Sequence, residues 1–225
     1  MNKSVTLLLN ALVKFLCGVA LMALVLFLPA GTLNYPNAWL FMALLFIPMM
    51  FLGVVLFCKA PELLAKRLKS KEKESAQVGV VIFSALMFVG SFVLAGLDFR
   101  YDWTKVPVWL VVMAAVLQLI AYGFYAEVMR ENAYLSRTVE VQENQKVVDT
   151  GLYGIIRHPM YSATILLYLA MPLVLGSWIS FLVMLLYPVI IVFRICNEEK
   201  VLEQGLEGYC EYKQRVKYRL IPFVW

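Results

Sequence analysis

Residues 38–58 read Ala-Trp-Leu-Phe-Met-Ala-Leu-Leu-Phe-Ile-Pro-Met-Met-Phe-Leu-Gly-Val-Val-Leu-Phe-Cys, 21 residues without a charged side chain. A helix rises about 1.5 Å per residue, so about 20 apolar residues cross a hydrocarbon core of roughly 30 Å. This stretch therefore reads as a membrane span. Three others match it on either side: Phe15–Leu33, Val78–Leu97 and Val106–Ala126, none with an internal Asp, Glu, Lys or Arg. Two shorter apolar segments follow, Met160–Leu175 and Trp178–Phe193, separated only by Gly176-Ser177. That pair suits a tight turn between antiparallel helices. Each arm reaches only about 24 Å, so the hairpin either crosses a thinned membrane or is sheltered by the longer helices. Pro172 and Pro188 predict kinks within it.

The expected architecture is thus an all-α integral membrane protein: four long transmembrane helices, then a short helical hairpin with a polar connector and tail. Residues 1–126 form the four-helix region with a basic loop at 59–77, and residues 127–225 form the region carrying the chemistry. Composition agrees, because 62% of residues are hydrophobic and 16% charged, with a mean hydropathy of +0.78. Soluble domains carry about half apolar and a quarter charged residues. The start of the chain reads as a first span rather than a cleaved leader, since no small-x-small site follows the apolar run.

Of the 20 Lys and Arg residues, 18 fall before the first span, in 59–77, in 127–157 or from Arg194 onward; Arg100 and Lys105 lie on the other side. Basic residues concentrate on cytoplasmic loops. Both termini, the two long loops and the tail are therefore expected in the cytoplasm. The net charge of +5 is explained by anionic membrane lipids, with no nucleic-acid partner needed. Cys17, Cys58, Cys196 and Cys210 are scattered and His158 is the single histidine, so no usual zinc site can be assembled. Nothing in the chain fixes an oligomeric state.

Polar chemistry collects in few places. In the 59–77 loop, Pro61 fits a first helical turn and Leu63, Leu64 and Leu68 share one face; a surface helix at the headgroups is the simpler reading there. The 127–157 connector is the longest non-apolar segment between hydrophobic elements, and long loops of that kind are often functional. Val139, Val141, Val147 and Val148 suggest extended backbone, and Asp149-Thr150-Gly151 a turn. Pro159 suits the first turn of the hairpin's first helix. Arg157, His158, Tyr153 and Tyr161 then concentrate donors and aromatic faces at one boundary. At the hairpin's far arm, Arg194 precedes Glu198 by one turn, the poorer order for a helical ion pair, and Glu199 adds a second carboxylate near a helix C-terminus, where anions are disfavoured. Acids placed against a local preference point to a ligand.

Together, Val148-Asp149-Thr150-Gly151-Leu152-Tyr153, Arg157-His158-Pro159-Met160-Tyr161, the hairpin, Arg194 with Glu198-Glu199, and Tyr209, Tyr212 and Pro222 resemble the isoprenylcysteine carboxyl methyltransferase family and its relatives, the membrane phospholipid methyltransferases. The resemblance implies an S-adenosylmethionine-dependent methyltransferase with a cytosol-facing donor site. It puts donor contacts on Gln145, Lys146, Val147, Val148, Tyr153, His158, Pro159, Met160, Tyr161 and Glu198, and an acceptor contact with catalytic consequence on Arg194. The acceptor implied is lipid-like or prenylated, most simply a carboxylate, for which Arg194 offers a bidentate clamp. The tail departs from many relatives in reading Leu206-Glu207-Gly208-Tyr209, and the Gly-x-Gly of the phospholipid-methylating branch is absent, which argues against that substrate.

Other readings remain. Phospholipid N-methylation would use an amine acceptor, with His158 or Glu198 as base. A membrane reductase using NADPH would need cations for its extra phosphate, and Arg137, Lys146 and Arg157 are the candidates. A non-enzymatic lipid-binding or transport protein would more often place charge within the spans.

Overall fold

The computed structural model describes residues 3–68, 75–135 and 141–225. Its long elements are helices, and no strand occurs among the described residues. In chain order these are α1 (Lys3–Ala30), α2 (Pro36–Lys59), the short α3 (Pro61–Leu68), α4 (Ser75–Tyr101), α5 (Val108–Glu131), α6 (Pro159–Leu175), α7 (Trp178–Met184), α8 (Leu186–Gly205) and α9 (Tyr209–Arg215). A 3-10 turn, Gly151–Gly154, precedes α6. Among the described residues, five stretches are long and apolar enough to cross a bilayer: nearly all of α1, α2, most of α4, α5, and the run Trp178–Gly205 through α7 and α8.

The four expected long spans are all present; α4 and α5 run on to Tyr101 and Glu131, and α1 differs at both ends. Helix α1 begins at Lys3 rather than Phe15, because Lys14 does not stop it. The long apolar stem of a lysine lets its ammonium leave an apolar face, and Lys14 Nζ donates to the Leu68 carbonyl at 2.5 Å. The helix stops at Ala30, short of Leu33, where Gly31 takes φ 69° and its N–H bonds the Phe27 carbonyl at 3.0 Å.

The hairpin turn forms as expected. Gly176 adopts φ 83° as the left-handed cap of α6, and the Ser177 hydroxyl caps α7 by accepting from Ser180 N–H at 3.1 Å. The second arm is longer than the apolar run suggests. It stays helical past Phe193 to Gly205, since the charged residues there meet protein partners instead of lipid. Its break, between Met184 and Leu186, falls one turn before Pro188. Proline cannot donate to the carbonyl four residues back and crowds it. Helix α6 remains a short element of 17 residues, and its sheltering is visible in buried Ala163, Leu167, Ala170, Met171 and Val174.

Leu167, Ala170, Met171 and Val174 join Leu26, Phe27, Phe41, Phe92, Ala114 and Ala121 in one core shared by α1, α2, α4, α5 and α6. Gly96 sets the approach of α4 to α1, because a Cβ there would stand 2.7 Å from the Leu26 carbonyl. Outward-facing Leu21, Phe51, Leu86, Val112 and Phe193 are exposed, as expected where lipid is the solvent.

Polar knots fasten the end of the bundle away from the connector. Asp98, 1% exposed, accepts from Thr104 N–H at 2.7 Å and from the hydroxyls of Thr104 and Ser177. The Tyr35 hydroxyl donates to the Leu175 carbonyl at 2.6 Å. Farther along, the Tyr122 hydroxyl donates to the Leu45 carbonyl at 2.9 Å, next to the Leu44 carbonyl that Pro48 leaves without its usual helical donor. With this end tied, the opposite end is free to present the connector and tail.

Candidate functional site

Helix α5 runs to Glu131, so the connector proper begins at Asn132. Val147 and Val148 lie outside regular structure, and Asp149-Thr150 lead into the 3-10 turn. Val139 and Arg137 fall outside the described residues. Pro159 occupies the first turn of α6, with His158 as its N-cap residue.

The chain then closes on itself. Arg157 N–H donates to the Tyr218 carbonyl and His158 N–H to the Arg219 carbonyl, both at 2.9 Å. The Ser162 hydroxyl donates to the Leu220 carbonyl at 2.7 Å. The Arg157 guanidinium donates to the carbonyls of Val216 and Lys217 at 2.7 and 2.8 Å and, through Nε, to Glu199 Oε1 at 2.8 Å. Arg219 holds the other carboxylate oxygen, Nη2 to Oε2 at 2.8 Å, and lies over the Trp225 ring. The Glu199 carboxylate in turn holds the Arg219 guanidinium protonated beyond its ordinary range. His158 Nε2 stands 3.3 Å from Glu199 Oε1. A carboxylate only accepts, so Nε2 carries the proton in that contact.

Glu198 and Glu199, read alike from the sequence, therefore face different surroundings. Glu199 is 2% exposed and satisfied by protein groups, whereas Glu198 lines a cavity. The Tyr161 hydroxyl donates to Glu198 Oε2 at 2.5 Å and accepts from Arg194 Nε at 2.9 Å. A phenol thus links the two charged residues that the sequence placed one turn apart.

The cavity, about 110 Å³, is lined by Gln145, Lys146, Val147, Val148, Tyr153, His158, Met160, Tyr161, Arg194 and Glu198. Every sequence-derived candidate borders it except Pro159, which is buried at the helix start and is absent from the wall. Sequence reading missed Asn132, Tyr134, Leu135, Leu202 and Leu206. Two of these had a signal. Arg194, Glu198 and Leu202 recur every fourth residue on one face of α8, Leu206 follows at its C-cap, and all four line the cavity. That face grades from cationic through acidic to aliphatic along its length. Arg157, Tyr209 and Tyr212 also border it; the Tyr212 hydroxyl donates to the Tyr153 carbonyl at 2.7 Å. Burial pushes the Tyr153, Tyr209 and Tyr212 phenols upward, so all three stay neutral. The Tyr209 hydroxyl is buried without a hydrogen-bond partner among the described residues.

A second cavity adjoins the first. It measures about 900 Å³ and runs between α2, α3 and α5, walled by Phe51, Leu52, Val55, Leu63, Tyr122 and Met129, with Lys59, Lys66 and Arg130 along its length. Ala133 borders it, while its neighbours Asn132 and Tyr134 border the polar cavity. Helix α3 is accordingly more than a surface element: Arg67 Nη1 reaches Met160 Sδ at 3.7 Å, and Lys66 Nζ lies over the Tyr134 ring.

Comparison with known proteins bears on this geometry. Residues 107–207 match the model of the phospholipid methyltransferase family, a range that contains the whole cavity wall except Tyr209 and Tyr212. A curated relative, the Delta(14)-sterol reductase of Mus musculus, is 28% identical over 91 residues, 39% of this chain and 22% of the relative. The chain thus spans about a fifth of that relative's length. A solved structure of a eukaryotic intramembrane Ras methyltransferase, isoprenylcysteine carboxyl methyltransferase, superposes with TM-score 0.54 and 20% identity, covering 91% of this chain and 75% of that one. Residues 107–207 carry the sequence pattern of the phospholipid methyltransferase family, which indicates a methyltransferase, and the chain's fold is similar to that of isoprenylcysteine carboxyl methyltransferase.

Proposed function

We propose that the chain transfers a methyl group from S-adenosylmethionine to a lipid-like acceptor, with 127–225 holding the donor and 1–126 serving as scaffold and acceptor path. The observation that carries this reading is the single cavity in which Glu198, Tyr161 and Arg194 meet at one end and aliphatic and aromatic side chains meet at the other. Such a graded wall fits a donor with a charged amino-acid part and an apolar, aromatic base. S-adenosylmethionine supplies a methyl group already activated on a sulfonium.

The protein's part is then positioning. Holding two reactants at near-attack distance is worth about 7–11 kcal/mol of barrier. Glu198 is the anchor for donor hydroxyl or ammonium groups, and Tyr161 fixes its carboxylate. Arg194, tied to the same phenol, orients and pairs an acceptor carboxylate. A carboxylate is ionised at neutral pH, so this acceptor needs no general base. The apolar cavity between α2, α3 and α5 suits a prenyl or acyl chain, entering from the bilayer while the donor enters from the aqueous side. The basic end of the bundle, with 18 of 20 Lys and Arg, we place in the cytoplasm.

The polar cavity is smaller than the roughly 300–1,000 Å³ of typical ligand sites, so its wall must yield on binding. The described connector residues, 132–135 and 141–148, lie outside helix and strand and form the wall that can do so.

The sterol reductase match supports a second reading, reduction by NADPH. Its extra phosphate requires accessible cations, and Arg157, 6% exposed, already spends its guanidinium on Glu199 and two carbonyls. Calorimetry on detergent-purified protein separates the two. Micromolar binding of S-adenosylmethionine with none of NADPH supports methyl transfer; NADPH binding alone would replace it with the reductase.

A further inference from the structure

The donor-site reading leaves one group in the wall unused. Tyr209 opens α9 and is 4% exposed, yet its hydroxyl has no hydrogen-bond partner among the described residues. Buried hydroxyls are nearly always paired, and one left alone is a cost that a ligand can relieve. The surroundings say which part of a ligand. Tyr209 N–H bonds the Leu206 carbonyl at 3.2 Å, which puts the residue at the aliphatic end of the α8 face, three turns of helix beyond Arg194. Its side chain packs with Leu206, Tyr212 and Val216, against Val147 and Leu202, and its ring centroid lies 5.8 Å from that of Tyr212. The ring thus packs among apolar and aromatic side chains while its hydroxyl lies within reach of the charges on Glu199, Arg157 and Glu198, and a slot with apolar faces and one polar edge suits a flat heteroaromatic base.

We propose that the Tyr209 hydroxyl binds the adenine base of the methyl donor, while the Glu198 end takes its amino-acid part. This rests on the methyltransferase reading. A phenol both donates and accepts, so it can meet a ring nitrogen or an exocyclic amine.

The two roles open to Tyr209 predict opposite signs. If the hydroxyl serves a ligand, Tyr209→Phe keeps the ring, removes an unpaired polar group and leaves the ligand-free melting temperature unchanged or higher. Affinity for S-adenosylhomocysteine, measured by calorimetry, should fall about tenfold. The same factor should appear with 5′-methylthioadenosine, which keeps base and sugar but lacks the amino-acid part. Three results would overturn the assignment: wild-type affinity in Tyr209→Phe, a lower melting temperature without ligand, or a factor that disappears with 5′-methylthioadenosine. If folded wild-type protein binds neither ligand, the methyl-donor reading itself fails, and this inference with it.

Discussion

Arg157 and Glu199 form a buried ion pair, Nε to Oε1 at 2.8 Å, between residues 42 apart in sequence. Neither group reaches much solvent, and around them the connector, α6, α8 and the tail converge. Removing one partner of a buried pair leaves the other charge unpaired, which costs about 3–5 kcal/mol. Glu199→Ala is expected to lower stability by that amount, read from thermal melting in detergent by tryptophan fluorescence. A melting temperature equal to wild type would show that the pair does not hold the tail.

Glu198→Gln should behave in the opposite way. The side chain borders the cavity instead of the core, so melting is expected to stay within a degree or two of wild type. A hydrogen bond to a charged group is worth about 1.5–3 kcal/mol, and S-adenosylmethionine affinity should fall at least tenfold. Arg194→Ala should spare donor affinity and raise KM for a carboxylate acceptor. Equal losses of donor binding in both variants would remove the division of labour between these residues.

Gln118, fully buried in α5, has neither its amide nitrogen nor its carbonyl oxygen partnered among the described residues. Leaving such groups unpaired costs about 1–3 kcal/mol, and Gln118→Leu fills a similar volume. That variant is expected to melt higher, by about 1–2 kcal/mol of added stability, with unchanged donor binding. A lower melting temperature would mean that the amide has a partner, such as an ordered water.

Donor binding should also change how the connector is cut. Lys146 lines the small cavity, and a wall that closes over a ligand shields its own backbone. Limited trypsin digestion, followed by mass spectrometry, should show cleavage after Lys146 slowed several-fold by saturating S-adenosylhomocysteine. Unchanged cleavage would argue that the wall does not move.

Much of the fold could be read from the sequence because membrane spans are specified by length and lack of charge, both local properties. Ala38–Cys58 needed no partner to be recognised. Lys14 misplaced the start of α1 because a lysine's reach to Leu68 is a tertiary fact. Phe193 misplaced the end of the second hairpin arm for the same reason: whether Arg194 and Glu199 meet water or protein depends on a tail that arrives later. Within the site, spacing along α8 could have revealed Leu202 and Leu206. Asn132, Tyr134 and Leu135 offered no such period, since the connector follows no regular helix. The opposite fates of Glu198 and Glu199 were invisible, because adjacent residues on a helix point about 100° apart and only the packing decides which direction is inward.

Arg157 is joined to Val216 and Lys217, and its backbone to Tyr218, which has a consequence for biosynthesis. Chains emerge from the ribosome at about 5–20 residues per second, and the spans up to α5 are complete long before position 216 is made. The apolar helices can therefore insert while the cavity beside Arg157 is still unassembled. Only when the stretch 216–219 leaves the ribosome does Arg157 obtain its carbonyls and Glu199 its second guanidinium. A nascent chain stalled before that stretch emerges therefore lacks the ties that join Arg157 and Glu199 to the tail.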